Sequence, residues 1–241
     1  MWTLKDNLAI ITHEGETGQS RSLFFLRVER IQMAFAVIRE FLKLQGIKYQ
    51  SPAKAGALAQ EMEQYRAMGQ AARMEFTDLV SAFQKRYSYL EQERTSQWMN
   101  QGQVLRPHFW AYLKGEGALA EPMFALRLYG DPVDFGVSLE VSFIERKKDD
   151  QSLQKQLKVL ALPISQPIYY LAQENGESRR VEGTEKNRQS LLRAVADGVV
   201  RKVLVKYDIP LVEAGSLEEV LDQLQSAMTA LEPYYLATRQ E

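Results

Sequence analysis

The sequence predicts an α+β protein: an N-terminal antiparallel helical hairpin packed against a mainly antiparallel sheet, with two or three further helices. Three observations predict it. Apolar residues recur at alternating spacings of three and four through the first hundred positions, the period falls to two from Arg106 onward, and capped helical stripes return towards the C-terminus. On this reading residues 1–102 form a helical N-terminal subdomain and residues 103–241 an α+β sheet subdomain, packed as one unit.

The first stripe is Phe24, Val28, Ile31, Phe35, Ile38 and Leu42, flanked by Phe25, Ala34, Val37 and Phe41. It predicts a helix from about 22 to 46, where Gly46 is free to take the positive φ that closes a last turn. Pro52 and Gly56 mark a connector, followed by a short helix over 57–68. A second long helix is expected over 71–100, with Phe76, Val80, Phe83, Tyr87, Leu90 and Trp98 on one face.

Residues 107–113, 123–129 and 133–145 then read as an antiparallel meander. In the third strand Val133, Phe135, Val137, Leu139, Val141 and Phe143 alternate with a mostly polar set, the mark of a sheet with one apolar face. Gly130-Asp131-Pro132 supplies the turn before it. Asp149 or Asp150 caps a helix carrying Leu153, Leu157 and Leu160, and strands at 168–173 and 178–182 flank the turn dipeptide Asn175-Gly176. Thr184 caps a helix with Leu191, Leu192 and Val195, and residues 201–207 form another strand. The capping box Ser216/Glu219 opens a final helix carrying Leu217, Val220, Leu221, Leu224, Met228 and Leu231.

Composition closes several chemistries. Thirty Lys plus Arg against 31 Asp plus Glu leave a formal charge of −1, so there is no strongly basic coat for nucleic acid. The lack of cysteine excludes disulfides, thiolate zinc sites, iron–sulfur clusters and a Cys nucleophile. The apolar stretch 23–44 is broken by Arg27, Glu29, Arg30, Arg39, Glu40 and Lys43, so no membrane span is expected. The opening stretch, which carries Asp6 and Asn7, lacks the basic and apolar regions of a secretory signal, and a cytoplasmic protein is expected.

No GxGxxG or P-loop occurs, Gly115-Glu116-Gly117 reads as a wide hairpin loop, and no cofactor is predicted. The only histidines, His13 and His108, cannot build a convincing triad or a three-histidine metal site. Asp131, Asp134, Glu140 and Glu145 read as a solvated acidic face, with a carboxylate-only Mg²⁺ site as the lesser alternative, so the metal expectation is none. The clusters Arg146-Lys147-Lys148, Arg179-Arg180 and Arg201-Lys202 are small and locally compensated.

Strand parity supplies the binding candidates. His108, Trp110 and Tyr112 point to one side of their strand, Arg127 and Tyr129 to one side of the next, and Asp134, Gly136, Ser138 and Glu140 to one side of the third. If these sides coincide, His108, Trp110, Tyr112, Arg127 and Glu140 form a surface that stacks a planar group, binds an anion and exchanges a proton. Two structural alternatives compete: helices cover this face, with Gly136 the gap that Trp110 fills, or Arg127 and Glu140 simply pair across strands.

The run from Arg106 to Gly117, followed by Glu121 to Tyr129, resembles two families. One is an uncharacterised bacterial family carrying a glucose-6-phosphate dehydrogenase label, although that enzyme class's N-terminal glycine turn and Arg-Ile-Asp-His-Tyr-type motif are missing from this chain. The other, over residues 104–145, is the N-terminal DNA-binding domain of McrB-type restriction proteins. That second resemblance implies recognition of modified DNA through a pocketed sheet, with Trp110 and Tyr112 as stacking residues. The expected function is therefore a non-catalytic binding or interaction protein that recognises nucleic acid or a nucleotide-like group on the aromatic sheet face. The alternatives are an enzyme acting on a small phosphorylated or carboxylated metabolite, with Arg127 as anion clamp and His108 or Glu140 as acid or base, and a homo-oligomer or interaction module built on the long helices.

Overall fold

The computed structural model describes residues 35–106, 108–117, 121–144, 150–212 and 214–240. The part of the expected 22–46 helix that precedes residue 35, His13, Glu145, the Arg146-Lys147-Lys148 cluster and the cap at Asp149 lie outside the described residues. In chain order the elements are α1 (Ala36–Leu42), α2 (Ala59–Gln84), β1 (Glu91–Gln92), β2 (Trp110–Lys114), β3 (Met123–Gly130), β4 (Phe135–Ser142), α3 (Asp150–Leu157), β5 (Tyr169–Glu174), β6 (Glu177–Glu182), α4 (Glu185–Ala196), β7 (Val200–Pro210) and α5 (Leu217–Arg239). This is an α+β fold with a seven-stranded antiparallel sheet in the order β1-β2-β3-β4-β7-β5-β6.

The apolar parity of the strands faces the helices. Phe109, just before β2, stacks on Phe41 of α1 at 5.3 Å and lies 5.8 Å from Phe76 of α2, while Phe124 of β3 meets Tyr235 of α5 at 4.6 Å. Leu113, Phe124, Val141, Val205, Tyr170 and Val181 form one row of cross-strand partners, all buried. At the end of this layer Gln156 of α3 donates from Nε2 to the carbonyls of Val141 and Val203, both at 3.1 Å, tying α3 to β4 and β7.

Helix starts follow the capping residues. The Thr184 hydroxyl accepts the Asn187 N–H at 3.2 Å and that of Ser216 accepts the Glu219 N–H at 3.2 Å. Glu219 reaches back to the Gly215 N–H at 3.0 Å, one residue before the cap. In α1 no local side chain caps the helix; Glu75 of α2 does so instead, accepting the N–H groups of Ile38, at 2.8 Å, and Phe35.

Two expectations for the N-terminal half are corrected. The short and long helices are one continuous α2, and the helical stretch expected up to residue 100 ends at Gln84. Beyond it the chain turns and returns extended along α2. A polar stripe of α2 at four-residue spacing holds this return: Arg73 donates to the carbonyls of Ser96 and Thr95 at 2.9 and 2.7 Å, Thr77 bonds Thr95 at 2.8 Å, and Ser81 bonds Gln92 at 2.8 Å. Tyr87, Leu90 and Trp98 match helical spacing, yet Tyr87 and Leu90 close turns, with N–H groups donated to the Gln84 and Tyr87 carbonyls, and the Trp98 carbonyl accepts the Arg106 N–H, while Glu91 and Gln92 between them pair with Lys114 and Leu113 at the sheet edge. Trp98 folds back over Gly69, whose position inside α2 is thereby explained: a Cβ there would stand 2.6 Å from the indole.

The sheet has guarded margins. β1 is only two residues long, and β6 at the far edge exposes Glu177, Arg179, Arg180 and Glu182. Among the described residues no helix is long and apolar enough to cross a membrane.

Two substitutions check this account. Gly69→Ala gains helix propensity of about 1 kcal/mol but forces a methyl into the Trp98 ring, so urea unfolding should show a net loss of about 2 kcal/mol. Glu75→Ala leaves the first N–H groups of α1 without their acceptor and should lower stability by about 1 to 2 kcal/mol in the same assay.

Candidate functional site

The second face of the sheet carries polar and aromatic residues in two cross-strand rows. One runs Tyr112, Ala125, Glu140, Lys206, Tyr169 and Glu182 from β2 to β6; the other runs Trp110, Arg127, Ser138 and Asp208. Four of the five predicted binding residues therefore share a face. The fifth, His108, joins them just before β2, its ring 6.2 Å from that of Trp110. The ring contacts described above seat α1, α2 and α5 on the opposite face, so these helices do not cover Trp110 and Tyr112, which are half-buried. Gly136 does make room for a ring, but the ring is that of Tyr129, its direct partner on β3; a Cβ at Gly136 would lie 2.5 Å from the Tyr129 hydroxyl.

Glu140 stands at the middle of this surface with an exposure of 0%. Its carboxylate is shared by Arg127, with Nη2 to Oε1 at 3.1 Å, and Lys206, with Nζ to Oε2 at 3.2 Å. Burial pushes its pKa up, but the two cations and their hydrogen bonds outweigh burial and hold it down at about 2. Glu140 is thus an ionised structural counter-charge, buried between two cations. Burial likewise opposes the charge on Arg127, and Glu140 overrides it; the Tyr112 hydroxyl adds a further hydrogen bond to the guanidinium.

Trp110 is held under charge, with the guanidinium carbons of Arg106 and Arg127 at 4.8 and 5.3 Å from its ring centre. Burial, followed by the nearness of Arg127, Arg106 and Lys206, pushes the His108 imidazole down to about 4 against the opposing pull of Glu140. It is neutral at pH 7. Further along the rows the Tyr169 hydroxyl donates to Asp208 at 2.7 Å, and Arg180 pairs with Asp208 at 2.8 Å while lying 3.6 Å from the Tyr169 ring centre. This end of the face is a closed network.

Where Trp110 and Tyr112 meet the extended return from α2, a groove of about 560 Å³ opens at the β1/β2 margin. Met99 and Ile144 join the two aromatic residues as its apolar wall, and Gln97, Asn100, Gln101 and Arg106 bring amide and guanidinium groups. The sequence reading, which places 96–100 in a helix, does not bring this segment to the groove. It also misses Lys206, whose signal is a single lysine among Val203, Leu204 and Val205, in register with nothing until the β4–β7 pairing is known.

Other predicted features have structural roles. Gly115 and Gly117 let the β2–β3 loop close on Tyr235 and Arg239 of α5, and Arg239 donates to the Glu116 carbonyl. Asp131 accepts the N–H groups of Val133 and Asp134 at 2.8 and 3.0 Å, capping its own turn. Among the described residues no group of three His, Asp or Glu side chains is placed to hold a metal ion. No family model matches the chain, and no curated protein matches it in sequence.

The Glu140 clamp has a definite pH signature. A carboxylate lowered from 4.5 to about 2 stabilises the folded state above its unfolded pKa, and that contribution fades as pH falls through the interval between them. Glu140→Gln leaves the buried Lys206 and the half-buried Arg127 without their anion and should cost about 3 kcal/mol at neutral pH. The gap between wild type and variant in denaturant unfolding should narrow steadily on acidification; a gap of constant size would contradict the clamp.

Proposed function

We propose that the protein is a binding module that takes a nucleotide-like group, a planar ring with an attached phosphate, in the groove beside Trp110 and Tyr112, with single-stranded nucleic acid as its partner class. The groove carries this reading: aromatic and apolar side chains line it together with amides and a guanidinium. Ring faces suit stacking, amides suit the hydrogen-bonding edges of a base, and Arg106 suits a phosphate. The resemblance of residues 104–145 to the DNA-binding domains of McrB-type restriction proteins favours the same class.

Binding is favoured over turnover because Glu140, the carboxylate suited to acid–base work, is committed elsewhere. Glu140 is fixed between two cations, and Arg127 answers it. With a formal charge of −1, affinity must rest on stacking and one or two local cations instead of a basic surface. A short segment of one to a few nucleotides is the fitting ligand. The lack of cysteine agrees with a reducing, cytoplasmic setting.

The test is a titration of intrinsic tryptophan fluorescence with short single-stranded oligonucleotides. Tyr112→Ala should weaken binding about tenfold, within the usual range for losing one base–aromatic stack, whereas Tyr112→Phe keeps the ring and most of the affinity. The salt dependence should be shallow, with a log–log slope of roughly −1 to −2. Failure of every oligonucleotide and mononucleotide to change the fluorescence would reject the reading.

A further inference from the structure

The imidazole of His108 is unused by the stacking groove, yet it sits beside it in an unusual setting. Arg106 faces it from the segment before β2, Arg127 from β3 and Lys206 from β7, with Glu140 of β4 as the opposing charge. Three cations thus stand near one neutral ring, and two of them, Arg127 and Lys206, hold the carboxylate. Lys206 and Glu140 are buried, while the Arg127 side chain keeps a quarter of its surface open and Arg106 borders the groove. Trp110 connects the two regions, touching Arg106, Arg127 and His108 through its ring.

We propose that this cluster is the anion subsite of the groove: the phosphate of the ligand lodges against His108, Arg106 and Arg127, and the imidazole takes up a proton from solvent as the phosphate binds. The inference rests on the nucleotide-like reading above and names which part of the ligand goes where. Its physical basis is reciprocity. Burial first, and the neighbouring cations after it, keep a proton off His108 in the free protein; an oxyanion offsets the cations' share and accepts the new N–H, so anion and proton each favour the other. The imidazolium then presents two donors where the neutral ring has one. Glu140 stays ionised throughout, because its own pKa lies lower still.

The measurement is the affinity of wild-type protein for oligothymidylate and for the dinucleoside monophosphate TpT, at constant ionic strength, at about pH 7.5 and about pH 5. Neither the thymine ring nor the phosphodiester titrates in that interval, so proton linkage belongs to the protein. Each unit by which the ligand raises the His108 pKa can tighten binding up to tenfold once the pH lies below the free value, and at pH 5 at least a threefold gain is expected, rising to about tenfold where the bound pKa reaches about 6. In His108→Gln the ratio of the two affinities should fall to near one. TpT binding with the same linkage assigns the subsite to a single phosphodiester; linkage seen only with the oligomer assigns it to a backbone spanning several nucleotides.

A second measurement needs no variant at the site. The chain has two histidines, so the imidazole C–H resonances of His108 can be assigned with a His13→Ala protein and titrated with and without TpT. An upward shift of the His108 titration on binding is expected. Binding that is independent of pH, or linkage that survives in His108→Gln, overturns the subsite while leaving the groove intact. Absence of any binding at either pH overturns both.

Discussion

A fully buried carboxylate, Glu140, organises the second face of the sheet. It lies on β4, the middle strand of seven, and is answered from both sides by Arg127 of β3 and Lys206 of β7. A buried charge left unpaired is far costlier than the net worth of the pair, so the three strands are bound to one relative register. A slip of one residue on β4 would turn Glu140 into the helical core and Leu139 or Val141 outward. Hydrophobic alternation alone specifies which side is inner. The charged triad adds a specific set of partners.

The effect spreads outward from that point. Arg127 is held by Glu140 and in turn holds Tyr112 and lies over Trp110, so the ring positions at the groove inherit their order from a residue two strands away. On the other side Lys206 stands opposite Tyr169, whose hydroxyl is fixed by Asp208, itself paired with Arg180. Satisfied at each step, such a network stiffens a surface that has no helical layer of its own among the described ring contacts. A stiff face is what a recognition groove requires, because a ligand then meets rings already in place.

Much of this architecture was legible in the sequence for reasons that can be traced to residues. Within the expected strand 133–145 the parity over 135–142 marks the inner face, although Val133 lies exposed before the strand begins; Asn175-Gly176 marks the β5–β6 hairpin, and Thr184 and Ser216 mark two helix starts. These signals are local. The side of the sheet shared by Trp110, Arg127 and Glu140 followed from the same parity plus two short connections. What escaped depended on distant pairing: β7 inserts between β4 and β5, so Lys206 and Asp208 could not be assigned to this face from the order of the chain. The extended return at 91–99 escaped for a different reason. Its apolar residues repeat at helical intervals, while the partners that hold it extended, Arg73, Thr77 and Ser81, sit on another element.

The two margins of the sheet carry a consequence for behaviour at high concentration. A strand-edge of two residues offers almost no template, and the opposite margin lines up Glu177, Arg179, Arg180 and Glu182 in contact with solvent. A second molecule adding itself there in antiparallel register about the strand centre would set arginine against arginine and glutamate against glutamate. Fibrillar growth by strand addition is thereby discouraged at both ends, and the protein can keep a broad, sticky aromatic surface without becoming the seed of its own polymer.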